Sequence, residues 1–124
     1  MKRGTYTKEK FINSEKLARL CASIAADKKA ENIVVLDLRG LSTFTDFYVI
    51  ATGTSDPQLN AIASEVEDQL KKEHGRKALG IDGSALSQWV VADFGDVVMH
   101  IFHVSKRDLY RLEEMWNDAP RLKV

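Results

Sequence analysis

From Ser14 to Lys29 the apolar residues Leu17, Leu20, Cys21 and Ile24 recur with the helical period, so the spacing predicts an amphipathic helix. Residues 33–38, IVVLDL, and 47–52, FYVIAT, are β-rich and apolar on both alternating sets, the pattern of interior strands. The segment TGTSDP then breaks the run: Asp56 suits a helix cap and Pro57 the first helical position. Leu59, Ile62, Val66 and Leu70 supply the stripe of a second helix, which His74 and Gly75 should end. Residues 77–81 read as a short strand, and QWVVADFGDVVMHIFH, residues 88–103, as two more joined by a tight turn. Ser105 and Asp108 resemble a capping box opening a last helix with Leu109, Leu112 and Trp116. The order α-β-β-α-β-β-β-α implies an α/β chain of one domain, with a mixed five-stranded sheet flanked by helices.

The hairpin displays an uncommon set of residues. With Phe94 and Gly95 as the two turn residues, Asp93 faces Asp96, Val91 faces Val98 and Trp89 faces His100. Opposed residues share a face, so Trp89, Val91, Asp93, Asp96, Val98 and His100 lie together, while Val90, Ala92, Val97, Met99 and Ile101 fill the other side. The second set is wholly apolar and belongs against the helices. The first mixes an indole, an imidazole, two valines and two carboxylates, which is closer to a protein-binding surface than to a core. Directly opposed like charges destabilise a strand pair unless solvent or a cation relieves them, and a basic partner would do so. Two plainer readings stand beside this one. Acidic residues flank glycine turns because they are soluble and tolerate the geometry, and Trp89 could cap the core. A three-residue loop would exchange the faces.

Composition narrows the function classes. The chain has 124 residues, 44% hydrophobic and 29% charged, which fits one ordinary globular domain able to bury a core without metal or disulfide staples. Lys plus Arg and Asp plus Glu balance at 18 each, so net charge gives no general attraction to nucleic acid or to an acidic membrane. Electrostatic recognition must therefore be local. The opening MKRGTYTKEK is basic but no signal-peptide core follows, and no apolar run is long enough to span a bilayer, so a cytoplasmic protein without membrane contact is expected. The one cysteine, Cys21, lies on the first helix's apolar stripe and reads as a packing residue rather than a nucleophile. No basic-aromatic cluster of the RNA-reading kind appears, and direct sequence-specific nucleic-acid recognition is not expected.

Three blocks in order, VVLDLRGLSTFTDFYVIATGTS, SQWVVADFGDVVMHIF and RDLYRLEEMWNDA, resemble the ribosomal silencing factor family, also called RsfS or Iojap-like proteins. The likeness covers residues 14–119, leaving 1–13 as an N-terminal extension and 120–124, PRLKV, as a C-terminal tail. The family pattern W-x-x-x-D-x-G-D-V-x-x-H is carried by Trp89, Asp93, Gly95, Asp96, Val97 and His100, and Tyr-x-Leu-Glu-x-x-Trp by Tyr110, Leu112, Glu113 and Trp116. Phe94 departs from the Tyr or Leu of many members. The resemblance implies a small α/β protein, distantly nucleotidyltransferase-like in fold. It implies a translation repressor that binds the large ribosomal subunit through its fourteenth large-subunit protein and sterically blocks joining of the small subunit, notably under nutrient limitation. No cofactor and no metal are implied, and self-association of the free protein as a homodimer is left open. Ribosomal proteins are generally basic, so an acidic apex beside an apolar patch is a suitable complement for one. In the last predicted helix Arg107, Tyr110 and Glu113 share a side at three-residue spacing, and Arg107 and Tyr110 are expected to extend the binding surface.

The competing class is a degenerate nucleotidyltransferase-like enzyme. Gly53-Thr54-Ser55 before a helix could bind a phosphate or nucleotide. Such enzymes need a D-x-D metal pair on a following strand, and KALGID carries a single acid. His100 and His103 point to opposite faces of a strand and cannot share a metal. Capping is the simpler role for Thr54 to Asp56.

Overall fold

A computed structural model describes residues 12–84, 86–107 and 111–124. Helix α1, Ser14–Asp27, starts where the Asn13 side chain accepts the Lys16 amide and buries Leu17, Cys21 and Ile24. Helix α2, Asp56–His74, buries Leu59, Ile62, Val66 and Leu70 and ends at Gly75 in the left-handed region (φ 63°), as its stripe and its glycine predict. Its cap is Ser55, which accepts the Gln58 amide, and not Asp56, which already lies inside the first turn.

The strands are β1 Glu31–Asp37, β2 Phe47–Gly53, β3 Gly80–Ser84, β4 Trp89–Asp93, β5 Val97–His103 and β6 Arg121–Leu122. They form one mixed sheet of six strands, not five, in the order β3-β4-β5-β2-β1-β6. Only β2 and β5 pair in parallel; every other neighbouring pair is antiparallel. The extra strand lies in the segment read as a tail, where Leu122 and Arg121 pair with Val35 and Leu36 of β1. Two residues are too few to leave a period in the sequence. Strand β3 begins at Gly80 rather than residue 77, because its register is set by pairing with β4, Gly80 opposite Asp93 through Ser84 opposite Trp89. All its residues are exposed, so no apolar alternation marked its limits.

The hairpin exists, with a different register. Trp89 faces Phe102, Val91 faces His100 and Asp93 faces Val98. The turn residues are Gly95 and Asp96, closed by a Phe94 amide to Val97 carbonyl bond of 2.9 Å. The reason is physical: Phe94, just past the end of β4, is buried and stays paired with Val97 rather than entering the turn, while Gly95 supplies the positive φ (92°) that primed hairpin turns require. Moving the turn centre by one residue shifts each partner by two, so faces are kept while pairs change.

Helices α1 and α2 cover one face of the sheet, over Val35, Phe47, Val49, Ala51, Val90, Ala92, Met99 and Ile101. The other face carries a smaller cluster of Leu36, Leu38, Ile50, Phe102 and Ala119, with Val34, Tyr48, Trp89, Leu112 and Trp116 packed on it. The last predicted helix is not continuous. After β5 comes a 3-10 turn, Val104–Lys106, opened by His103, whose ring nitrogen accepts the Ser105 amide. Arg111 then sits in the left-handed region (φ 50°) before a one-turn helix α3, Leu112–Met115. Asp108 and Leu109 lie outside the described residues.

Candidate partner-binding face

The face away from the helices brings together Trp89, Val91 and Asp93 of β4 with Val98, His100 and Phe102 of β5, and β2 adds Tyr48 beside them. Trp89, Val91, Val98 and Tyr48 are half-buried, and Asp93 is exposed at the end of the strand. Partial exposure of a large ring is the compromise expected of a binding anchor that also rests on the fold. The Trp89 ring stacks on Phe102 at 5.2 Å and on His100 at 5.9 Å between centroids. Tyr48 meets His100 edge-on at 4.5 Å and Trp116 edge-on at 6.2 Å. These aromatic contacts fix the indole's orientation.

His100 is 5% exposed, and its Nδ1 accepts the Trp89 Nε1–H at 3.2 Å. An indole can only donate, so the neutral imidazole carries its proton on Nε2. That atom is buried with no hydrogen-bond partner among the described residues. Burial pushes the imidazole pKa down to about 4, since a charged ring would have to leave water. His100 is therefore a neutral positioning residue behind Trp89, not a surface group opposite it. Burial likewise pushes the Tyr48 phenol up.

The two carboxylates separate. Asp93 accepts the Gly95 amide at 2.8 Å and faces Val98 across the strands. Asp96 is drawn into the turn, where Arg76, just past α2, donates to its carboxylate at 2.6 Å and to the Phe94 carbonyl at 3.1 Å. The expected opposed acid pair is thus absent, and Asp96 has its cation within the chain. Asp93 alone of the pair stays on the face.

Arg107 is also reassigned. It is 7% exposed and forks onto Glu113, with Nε to Oε1 at 2.9 Å and Nη2 to Oε2 at 3.0 Å, while Nη1 donates to Thr52 Oγ1. Six residues separate the pair, which a continuous helix would not bring face to face. The guanidinium holds the Glu113 carboxyl below the usual carboxylate range. This clamp fastens the segment with Leu112, Trp116 and Ala119 across the edge of the candidate face. Tyr110 lies outside the described residues.

Tyr48 and Phe102 were not anticipated as members of this face. Phe102 was within reach of the sequence, because it alternates with His100; Tyr48 depended on the parallel β2–β5 pairing, which no local pattern announces.

The Gly53–Ser55 segment is occupied by its own helix. Ser55 caps it, and the Thr54 amide donates to Gln58 Oε1 at 2.7 Å. Gly53 admits Leu59 so closely that a Cβ there would stand 2.7 Å from Leu59 Cδ1. Packing, rather than a phosphate, accounts for this glycine. Among the described residues no group of three or more His, Cys, Asp and Glu side chains is placed to hold a metal ion. His103 points away from His100 and bonds Ser105 Oγ at 2.9 Å.

The family model described as ribosomal silencing factor during starvation matches residues 12–124. The chain is 40% identical to the ribosomal silencing factor RsfS of Bacillus subtilis strain 168 over 109 residues, covering 88% of this chain and 92% of that one. Its fold is similar to a crystal structure of a protein from Bacillus halodurans, 36% identical, with a TM-score of 0.75 over 89% of this chain and 99% of the other. An X-ray structure of a Chromobacterium violaceum protein, 31% identical, gives 0.80 over 86% and 88%. With sequence match and fold in agreement along nearly its whole length, the chain belongs to the ribosomal silencing factor (RsfS) family.

Proposed function

We propose that this protein represses translation in the cytoplasm by binding the large ribosomal subunit through its fourteenth large-subunit protein, so that the small subunit cannot join when nutrients are short. Family membership supports ribosome silencing as the role. The observation that carries the binding mode is the juxtaposition, on one sheet face, of a half-buried, oriented indole at Trp89 with Val91, Val98 and the exposed carboxylate of Asp93. An aromatic anchor in an apolar setting supplies affinity, and a carboxylate at its border selects a basic surface. Steric exclusion needs no chemistry, so the activity is regulatory and not enzymatic.

Within this reading Trp89, Val91, Asp93 and Val98 touch the partner, and His100 holds Trp89. Asp96 and Arg107 act from within the fold, by shaping the turn and by clamping the C-terminal segment. The test is sedimentation of isolated large and small subunits with the purified protein, followed by light scattering of subunit joining. Comigration with the large subunit and slowed joining are expected. Trp89→Ala should stay folded and weaken the complex by about 2 kcal/mol or more. Comigration with neither subunit ends the proposal.

A further inference from the structure

At one end of the sheet three large apolar side chains stand in water: Leu41 and Phe44 on the β1–β2 loop and Leu79 just before β3, exposed by 46%, 92% and 76%. The backbone gathers them on one rim. The amides of Asp46 and Phe47 both donate to the Asp96 carbonyl, at 2.9 and 3.1 Å, which fastens the β1–β2 loop to the hairpin turn. The Leu79 amide donates to the Asp93 carbonyl at 2.7 Å, which fastens the lead into β3 to the same hairpin. Leu79 lies against the turn itself, since a Cβ on Gly95 would stand 3.3 Å from Leu79 Cδ1.

The loop that carries Phe44 is built, not slack. The Leu41 and Ser42 amides donate to the Leu38 carbonyl at 2.9 Å each, and the Phe44 amide donates to Ser42 Oγ at 3.1 Å. Gly40 turns the chain at φ 83°, and Arg39 is forked onto Asp37. A ring held out by an ordered loop loses little further freedom on docking. Single exposed apolar residues need no explanation, but a group gathered on one rim marks an interaction surface.

Charge selects the kind of partner. Asp37 is paired with Arg39 and Asp96 with Arg76. Asp46 shares the field of Arg39 with Asp37, whereas Asp93 is exposed and Asp82 stands two positions further along β3 on the same sheet face, so the acidic side of this rim is the hairpin side that Leu79 adjoins. Asp93 also borders the face of Trp89, Val91 and Val98, and its carbonyl takes the Leu79 amide, so Leu79 adjoins that face.

We propose that Phe44 and Leu79 form a second docking site for the same basic protein partner, with Phe44 seated in an apolar pocket of that partner and Asp93 on the border between the two patches. This rests on the partner-binding reading above. The experiment compares Phe44→Ser, Leu79→Ser and their double variant with Trp89→Ala, in sedimentation titrations against purified large subunits at low and high salt. Sedimentation velocity of each free protein runs alongside. Phe44→Ser should weaken binding about tenfold and Leu79→Ser less. Thermal unfolding should not change, and the salt slope should be kept because no charge is lost. Parent-like affinity of the double variant, with Trp89→Ala impaired, overturns the second site and leaves the partner-binding reading standing. Parent-like affinity of all variants, Trp89→Ala included, overturns both. Altered self-association with unaltered subunit binding makes a second copy of the chain the occupant, which also overturns the proposal.

Discussion

Replacing Arg107 by methionine should destabilise this protein more than a surface arginine change would. The guanidinium is 7% exposed and engages Glu113 through two parallel bonds of 2.9 and 3.0 Å, with a third bond to Thr52 Oγ1. Methionine keeps much of the buried stem but strands the Glu113 carboxylate and removes the donor to Thr52. Removing one member of a fully buried pair costs about 3–5 kcal/mol. The Glu113 side chain is 26% exposed, so water relieves part of that cost, and a loss of about 2–3 kcal/mol is expected. For a chain of 124 residues this lowers Tm by roughly 10 °C. Urea unfolding followed by circular dichroism measures it. In a double-mutant cycle, Arg107→Met with Glu113→Gln should lose less than the sum of the single changes, because the stranded charge is gone. The pair also has a pH signature. Glu113 has a folded pKa below its unfolded value, so its contribution is present above the unfolded pKa and disappears as pH falls through the folded one. A loss below about 0.5 kcal/mol, or strict additivity in the cycle, would show that Arg107 is a solvated surface charge and refute the clamp.

The two hairpin carboxylates should behave differently. Asp93→Asn is expected to leave stability almost unchanged while weakening subunit binding and flattening its salt dependence. Asp96→Asn should cost about 1 kcal/mol of stability through Arg76 and the turn, with little change in salt slope; equal binding effects from both variants would contradict the separation seen here. His100 titrates at about 4 when folded and near the ordinary histidine value of about 6.5 when unfolded. The unfolded chain therefore binds the extra proton first, and stability should fall as pH drops from about 6.5 to about 4, by up to roughly 3 kcal/mol, then level off. His100→Phe should flatten that window in pH-dependent urea titrations, and an unchanged slope would mean that the imidazole is solvated. Cys21 is fully buried, with its thiol pushed up to about 12, so a thiol reagent should modify it only at the rate of global unfolding. Rapid labelling of the native protein would place it at the surface.

The sequence by itself determined whatever is written in a few consecutive residues. The stripes of Leu17, Cys21 and Ile24 and of Leu59, Ile62, Val66 and Leu70 marked two helices within a turn of their observed ends. Apolar runs marked β1 and β2 as interior strands. Alternation along residues 89–93 and 97–101 separated a helix-facing side from a mixed one, and that division holds because side chains in a strand repeat with period two whatever the exact partner. Tertiary structure decided the pairings. Whether Phe94 or Asp96 enters the turn depends on a core able to bury a phenyl ring, which local pattern does not describe. Asp96 finds Arg76 across 20 residues and Arg107 finds Thr52 across 55, so each charge was assigned by the packing of distant elements. The last predicted helix is interrupted at Arg111, which sits in the left-handed region, and Arg107 turns inward to Glu113 and Thr52, contacts that no local period describes. Strand β6 and the place of Tyr48 beside His100 arise in the same way: sheet order brings together segments whose affinity for one another exists only once the chain has folded.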